Sequence, residues 1–304
     1  MISLSSTTLH LFALIGGLLL VAGIIIAALR PLQIAGYANI VLRYRTWWVI
    51  VLVFAGGIAD HPLTAFTLMS GLSLWALREY YRLLPSLRGS RLPLVGYVAV
   101  PILNISASSG NAEWLHLALF GCLLATLLVA VGEGTPSGSI ARIGSTMLGI
   151  VVIGWTLAHL LVLRNRPDGV TMIVFLALLT ALNDILAYVA GRLWGKHQLA
   201  PQISPNKTVE GWLGSAFCTL VLASALHWLV GLSLLQTLAL GGIVACFGVV
   251  GDLTISLFKR DSQIKDTGTG IPGHGGLLDR LDSLLLVVPL SVYALQLFTL
   301  ISPV

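Results

Sequence analysis

Long apolar runs separated by short polar segments extend over almost the whole chain. A transmembrane helix needs about 20 mainly apolar residues, and by this criterion the pattern predicts ten membrane-spanning helices. They lie near residues 9–29, 46–59, 62–78, 92–108, 114–132, 145–163, 169–190, 211–231, 234–257 and 283–302. The first run is too long for a cleaved signal peptide, and the second, WWVIVLVFAGGI, is short enough to be partly re-entrant. The pattern therefore predicts an all-α, polytopic integral membrane protein with about nine or ten transmembrane helices.

The composition agrees with a protein whose main solvent is the lipid bilayer. Hydrophobic residues make up 57% of the 304 residues and charged residues only 10%, against roughly 45–50% and 25% in soluble domains. The net charge of +5 comes from cations that flank apolar spans, where they orient the protein and contact lipid phosphates. We therefore expect the bilayer, and no nucleic acid, as a partner. The three cysteines lie in apolar runs without metal-ligand spacing, which indicates neither a disulfide framework nor a zinc site.

Basic residues are concentrated in alternate loops between the predicted spans. The loops after the first, third, seventh and ninth spans contain Arg30, Arg43, Arg45, Arg82, Arg88, Arg91, Arg192, Lys196, Lys207, Lys259, Arg260, Lys265 and Arg280. By the positive-inside rule, these odd-numbered loops face the cytoplasm. Arg164 and Arg166, after the sixth span, are exceptions. The expected location is the cell (inner) membrane, with the active site facing the cytoplasm.

Neither a repeat nor a long linker divides the chain, so we predict a single membrane domain over residues 1–304. Its charges are unevenly distributed, because all four lysines lie between positions 196 and 265, and seven of the 12 acidic residues lie between Asp184 and Asp282. We therefore interpret residues 1–165 as N-terminal helices and residues 166–304 as the catalytic part.

Acidic and basic residues alternate after Gly251, in Asp252, Lys259, Arg260, Lys265, Asp266, Asp279, Arg280 and Asp282. Carboxylates supply the hard oxygen ligands of Mg²⁺, which is often shared with substrate phosphates. Lys and Arg neutralise phosphate oxygens. Asp279 and Asp282 are three positions apart and would share one face of a helix. This mixture is typical of a metal–phosphate site.

Two sequence blocks resemble the signature of phosphatidate cytidylyltransferases, also called CDP-diacylglycerol synthases. The pattern S-x-x-K-R-x(4)-K-D followed by P-G-H-G-G-x-x-D-R-x-D is matched at Ser256, Lys259, Arg260, Lys265, Asp266, Pro272, Gly273, His274, Gly275, Gly276, Asp279, Arg280 and Asp282. An upstream block is matched at Asp184, Ala187, Tyr188, Gly191, Arg192, Gly195, Lys196, Ser204, Pro205, Lys207, Thr208, Glu210 and Gly211. The resemblance covers roughly residues 70–300, and before residue 184 the best match is ALREYYRLLP.

The resemblance implies transfer of a cytidylyl group from CTP to the phosphate of a membrane lipid acid, phosphatidate or a related lipid, with release of pyrophosphate. It implies a Mg²⁺ centre at Asp252, Asp279 and Asp282, leaves room for a second, monovalent cation, and suggests a homodimer. The implied catalytic residues are Asp252, Lys259, Arg260, Lys265, Asp266, Asp279, Arg280 and Asp282. The implied nucleotide or phosphate contacts are Asp184, Tyr188, Lys196, Ser204, Lys207, Thr208, Ser256, His274, Gly275 and Gly276.

The glycine-rich stretch before Asp279 is expected to let backbone N–H groups approach a phosphate. A helix that begins near Gly276 would also direct its positive end at that phosphate.

The chain departs from the family pattern at three apolar positions. Ile185 and Leu186 replace smaller residues, and Ile255 replaces an acid, which predicts intact chemistry with altered lipid selectivity. Two other interpretations stay open at this point: a polytopic transporter, and a non-catalytic paralogue that binds nucleotide or lipid. A CDP-alcohol phosphatidyltransferase is disfavoured, because its D-G-x-x-A-R element is absent.

Overall fold

The computed structural model describes residues 6–32, 36–59, 61–110, 112–268, 270–273 and 275–301. The α-helices of these residues are α1 Ser6–Leu29, α2 Tyr37–Ala59, α3 Pro62–Arg82, α4 Leu92–Ser108, α5 Ala112–Glu133, α6 Ser139–Gly149, α7 Thr156–Arg164, α8 Gly169–Trp194, α9 Val209–Ala225, α10 Leu234–Asp261 and α11 Leu278–Ile301. A π-helical turn, Ile150–Trp155, joins α6 to α7 in one continuous segment. A short antiparallel hairpin, β1 Gln198–Ala200 and β2 Ser204–Thr208, connects α8 to α9.

Ten helical segments of the described residues overlap the ten predicted spans, and the all-α polytopic fold class is confirmed. Among the described residues, seven helices are long and apolar enough to cross a membrane, and Leu92–Ser108 and Val209–Ala225 are shorter apolar helices. The re-entrant interpretation of the second span is wrong, because α2 is a continuous helix of 23 residues that begins at Tyr37. Its first turns contain Arg43 and Arg45. These charges lower the local hydropathy, so the apolar pattern placed the start of the helix too late.

Hydrogen bonds between loops divide the helix ends into two groups. At one end of the molecule, Arg164 Nε donates to the carbonyl oxygen of Ile58 at 2.8 Å, and Asn165 Nδ2 donates to that of Ser108 at 3.1 Å. At the other end, Ser262 Oγ donates to the carbonyl oxygen of Leu83 at 3.0 Å. The helices therefore alternate in direction as the loop charges predict. Arg164, an exception to the charge rule, is buried and binds the end of α2.

The core of the helix bundle is formed by α7 and α8, which pack against α4, α10 and α11. Phe175 on α8 is fully buried, whereas Leu128 and Val131 on α5 are 73% and 80% exposed. Apolar side chains facing outward are expected where the surrounding solvent is lipid. The bundle thus buries the helices that carry the charged residues of the C-terminal half.

Candidate active site

Three carboxylates converge from three different helices. Asp184 lies on α8, Asp252 on α10 and Asp282 on α11, near enough for their charges to interact. Ser283 joins two of them, because its hydroxyl donates to Asp184 Oδ2 at 3.1 Å and its backbone N–H donates to Asp282 Oδ1 at 2.8 Å. We call Asp184, Asp252 and Asp282 the carboxylate cluster. The cluster brings Asp184 of the upstream sequence block together with Asp282 of the downstream block.

A glycine allows α10 and α11 to meet at this cluster. A Cβ atom placed on Gly251 would collide with the carbonyl oxygen of Asp282 and lie 3.4 Å from Cα of Ser283. The two backbones therefore touch one residue before Asp252. Any larger residue at position 251 would push the two aspartates of these helices apart.

The β-hairpin delivers a lysine to the cluster. Lys207 Nζ lies 2.5 Å from Asp252 Oδ2, and Ser256 Oγ donates to the other oxygen of Asp252 at 3.2 Å. The turn of the hairpin is attached to the end of α10, because Arg260 Nε donates to the carbonyl oxygen of Ile203 at 3.1 Å. The hairpin thus holds an ammonium group beside an anionic cluster, where it can pair with a carboxylate or with a phosphate oxygen.

Several residues of the upstream block hold helices together. Thr208 caps α9, with its hydroxyl accepting a hydrogen bond from Gly211 N–H at 3.1 Å. A Cβ atom on Gly211 would lie 2.7 Å from the carbonyl oxygen of Ala187 and 3.0 Å from Cα of Gly191. These glycines allow α8 and α9 to pack backbone against backbone. Thr208 was predicted as a nucleotide contact, and the structure shows its hydroxyl engaged in a helix cap.

A second network surrounds Asp279, the first acidic residue of α11. Its Oδ1 pairs with Lys259 Nζ at 2.7 Å. Its Oδ2 accepts hydrogen bonds from the backbone N–H and the hydroxyl of Thr267, both at 2.9 Å, and from Gly276 N–H at 3.2 Å. Both oxygens of this buried carboxylate are therefore engaged by protein donors. Asp279 orients Lys259 and anchors the glycine-rich loop.

Glu79 on α3 completes this second network and was missed by the sequence analysis. Its Oε1 accepts from Leu277 N–H at 3.0 Å, and its Oε2 accepts from Leu278 N–H at 2.9 Å and from the hydroxyl of Thr267 at 3.1 Å. The side chain is buried. A signal was present, since Glu79 lies in the matched segment ALREYYRLLP and is the one acidic residue of α3.

The start of α11 differs from the expected phosphate cradle. The N–H groups of Gly276, Leu277 and Leu278 donate to Asp279 and Glu79. Protein carboxylates therefore occupy the positive end of α11, where a phosphate was expected. Gly275 has a positive φ of 85°, and its carbonyl oxygen accepts from Ile271 N–H at 2.9 Å. His274, also predicted as a contact, lies outside the described residues.

The remaining predicted site residues lie at the same end of the bundle. Ser204 is half-buried in β2. The exposed ones are Tyr188, Lys196, Arg260, Lys265, Asp266 and Arg280. The charge of Arg280 acts on both Asp184 and Asp282. Arg280 and Lys207 therefore place positive charge beside the carboxylate cluster, which suits a polyphosphate.

The three departures from the family pattern have different surroundings. Ile185 is 54% exposed and Leu186 is half-buried, whereas Ile255 is fully buried in the hydrophobic core. The expectation that all three surround the substrate therefore fails for Ile255. Only Ile185 and Leu186 are placed where they can touch a ligand.

The donor chemistry of the carboxylate cluster fits Mg²⁺. Its members provide hard oxygen atoms, and mutual repulsion among three carboxylates favours a bound cation. Over the described ranges, no group of three or more His, Cys, Asp or Glu side chains is arranged so that it could hold a metal ion by itself. Lys207 currently supplies positive charge to Asp252.

The chain belongs to the cytidylyltransferase family, which residues 41–298 match. This confirms the resemblance seen in the two sequence blocks and the assignment as an enzyme, and it removes the transporter interpretation.

Relatives extend over most of the chain. A protein of Escherichia coli K12, named Uncharacterized protein YnbB, is 34% identical over 268 residues, which cover 85% of this chain and 88% of that protein. The phosphatidate cytidylyltransferase of Staphylococcus aureus strain COL is 30% identical over 254 residues, covering 82% of this chain and 96% of that protein. The phosphatidate cytidylyltransferase of Staphylococcus epidermidis RP62A is 34% identical over 206 residues, covering 65% and 76%.

Proposed function

We propose that this protein transfers the cytidylyl group of CTP to the phosphate of a phospholipid acid, phosphatidate or a close relative, and releases pyrophosphate. The observation that carries the proposal is the carboxylate cluster, with Lys207 beside Asp252 and the charge of Arg280 acting on the other two members. The names of the staphylococcal relatives, phosphatidate cytidylyltransferase, support the lipid acid as acceptor.

The reaction is an in-line displacement between two anions. An oxygen of the lipid phosphate forms a bond to the α-phosphorus of CTP, and the bond from that phosphorus to the bridging oxygen breaks, so that pyrophosphate leaves with the electron pair. Such transfers depend on positioning and on neutralised charge rather than on covalent help from the protein. Lys207 and Lys259 are held by carboxylates in the structure. Both ammonium groups can turn to phosphate oxygens when a nucleotide binds.

Asp252 and Asp282 would hold Mg²⁺, with Asp184 beside them. The bound ion would supply positive charge to the phosphates and fix their orientation. The sequence resemblance also implied Asp279 as a ligand. We propose that Asp279 positions Lys259 instead, because both of its oxygens already accept hydrogen bonds or an ion pair from the protein.

The site is proposed to face the cytoplasm, where CTP is found. The hairpin between α8 and α9, the end of α10 and the start of α11 all lie at one end of the bundle. The loops at that end carry the basic residues that the positive-inside rule places in the cytoplasm.

The test is pyrophosphate release by purified protein in detergent with CTP, Mg²⁺ and a panel of lipid acids. We expect release with phosphatidate or a related lipid acid, and none without lipid. Asp252→Asn should abolish it, whereas Asp261→Asn, an exposed position on the same helix, should not. A folded, monodisperse protein that releases no pyrophosphate with any lipid acid contradicts the proposal.

A further inference from the structure

A cavity of about 530 Å³ opens on the side of the bundle between α3 and α4. It is lined by Leu74, Trp75 and Arg78 of α3 and by Tyr97 of α4. The wall is largely aliphatic and aromatic, with one guanidinium group. Such a cavity differs from the carboxylate cluster, whose polar groups are mainly acidic.

Three side chains of this cavity carry hydrogen-bond donors without an acceptor among the described residues. In the part of the chain that the structure describes, neither the guanidinium of Arg78, nor the indole N–H of Trp75, nor the hydroxyl of Tyr97 has a hydrogen bond or an ion pair with the protein. Tyr97 contacts only the ring of Tyr81 among the aromatic residues described. An anion with several oxygens would satisfy donors of this kind.

The cavity lies close to the end of α3 and the start of α4. Arg78 is four residues before the end of α3 at Arg82, and Tyr97 is five residues after the start of α4 at Leu92. With a rise of about 1.5 Å per residue, both lie roughly 6–8 Å from the helix ends. Trp, Tyr and Arg side chains at this depth meet the boundary between headgroups and acyl chains.

The cavity also borders the glycine-rich loop of the active site. A Cβ atom on Gly270 would collide with the ring of Trp75, so the loop lies directly against this side chain. The residue after Arg78 is Glu79, which accepts hydrogen bonds from the first turn of α11. A ligand at Arg78 would therefore lie next to the elements that hold Asp279 and Lys259.

We propose that this cavity binds the acceptor, a phospholipid acid, with its phosphate at Arg78 and its acyl chains beside Leu74 in the bilayer. The proposal deepens the proposed function and rests on it for the identity of the acceptor. A guanidinium group in an apolar cavity at headgroup depth complements a lipid with a terminal phosphate. A zwitterionic lipid would bring an additional positive charge close to Arg78 and is disfavoured.

Lipid retention tests the binding step without any need for turnover. The full chain is incubated in detergent with dioleoyl phosphatidate or dioleoyl phosphatidylcholine, and bound lipid is counted by native mass spectrometry. We expect the parent to retain phosphatidate in preference, and Arg78→Gln to retain it about tenfold less. Arg78→Lys should bind with intermediate strength. Arg82→Gln, which removes an exposed cation from the same helix, should bind like the parent.

Kinetics in mixed micelles test the role of the cavity in the reaction. For Arg78→Gln we expect the KM for phosphatidate to rise about tenfold while the KM for CTP stays within about twofold. Tyr97→Phe, which removes only the hydroxyl, should shift the same KM in the same direction by a smaller factor. Loss of fold cannot produce such a selective change.

The outcomes separate the two proposals. If Arg78→Gln and Arg82→Gln retain phosphatidate equally and have equal KM values, the cavity is not the acceptor site, whatever the parent catalyses. If phosphatidate is retained through Arg78 but neither the parent nor any variant releases pyrophosphate, the cavity is supported as a lipid-acid site and the proposed function is contradicted. Displacement of the lipid by excess inorganic phosphate or glycerol 3-phosphate would assign the cavity to a soluble anion and overturn the proposal.

Discussion

Glu79 accepts a hydrogen bond from the backbone N–H of Leu278 at 2.9 Å, although the two residues are 199 positions apart. This contact places a carboxylate from the N-terminal half at the positive end of α11. The helix that carries Asp279 and Asp282 therefore begins on a support supplied by α3. Two glycines allow this approach, since Cβ atoms at Gly268 and Gly276 would lie 2.9 and 2.6 Å from the Glu79 oxygens.

Replacing Glu79 should weaken both the fold and catalysis. In Glu79→Gln, an amide NH₂ group replaces one carboxylate oxygen and cannot accept a hydrogen bond from the backbone N–H groups that it faces. We therefore expect the free energy of unfolding to fall by about 2 kcal/mol. We also expect kcat to fall by about tenfold or more, because the first turn of α11, which carries Asp279, loses the acceptor that fixes it. Thermal unfolding in detergent and pyrophosphate release measure the two effects. Wild-type stability and turnover in Glu79→Gln, with Asp261→Asn as control, would show that the contact is dispensable.

Lys207 should contribute mainly through its charge. Lys207→Met keeps the length of the side chain and removes the ammonium group, and we expect kcat/KM for CTP to fall by about 100-fold. Lys207→Arg should recover part of the loss. Arg88→Met, at an exposed cation on the same side of the bundle, serves as a control for net charge. Equal losses in Lys207→Met and Arg88→Met would argue against a contact with the nucleotide.

Mg²⁺ titrations should distinguish two kinds of aspartate. Turnover is expected to stop in EDTA and to return with Mg²⁺ or Mn²⁺. In any active remainder of Asp252→Asn, the Mg²⁺ concentration for half-maximal rate should rise by about tenfold or more. Asp279→Asn should lower kcat without this shift, because its carboxylate holds Lys259. A similar shift in both variants would make Asp279 a ligand, as the family resemblance implies.

Gly251 should tolerate no side chain. Gly251→Ala places a methyl group against the backbone of Asp282, and forcing the helices apart should cost about 1–3 kcal/mol of stability and most of the activity. Gly242→Ala on the same helix is a matched control, because a Cβ atom there meets no other atom within 4 Å. Thermal unfolding and turnover of the two variants provide the comparison. Equal behaviour would contradict close packing of α10 on α11.

Cysteine labelling should report the orientation of the protein in the membrane. In a background that lacks Cys122, Cys218 and Cys246, we expect Asp261→Cys to react with an impermeant maleimide only after the cells are permeabilised. Asp168→Cys, an exposed position at the other end of the bundle, should react in intact cells. The reverse pattern would place the carboxylate cluster outside the cytoplasm.

Local features of the sequence were sufficient for the helices and for the family. Ten apolar runs predicted ten helical segments because the bilayer requires long apolar helices whose backbone groups bond internally. Errors occurred where charges lie inside a helix. The start of α2 was predicted too late, since Arg43 lowers the local hydropathy although the helix continues through it.

The sequence by itself determined the family, the membrane fold and a set of candidate site residues, because these depend on residue type and spacing along the chain. Only the tertiary structure decided how those residues are grouped. It engaged both oxygens of Asp279 with protein donors, used Thr208 as a helix cap, buried Ile255 in the core and brought Glu79 to α11. These outcomes depend on how helices far apart in sequence pack, and a local pattern contains no information on which side chains meet across such an interface.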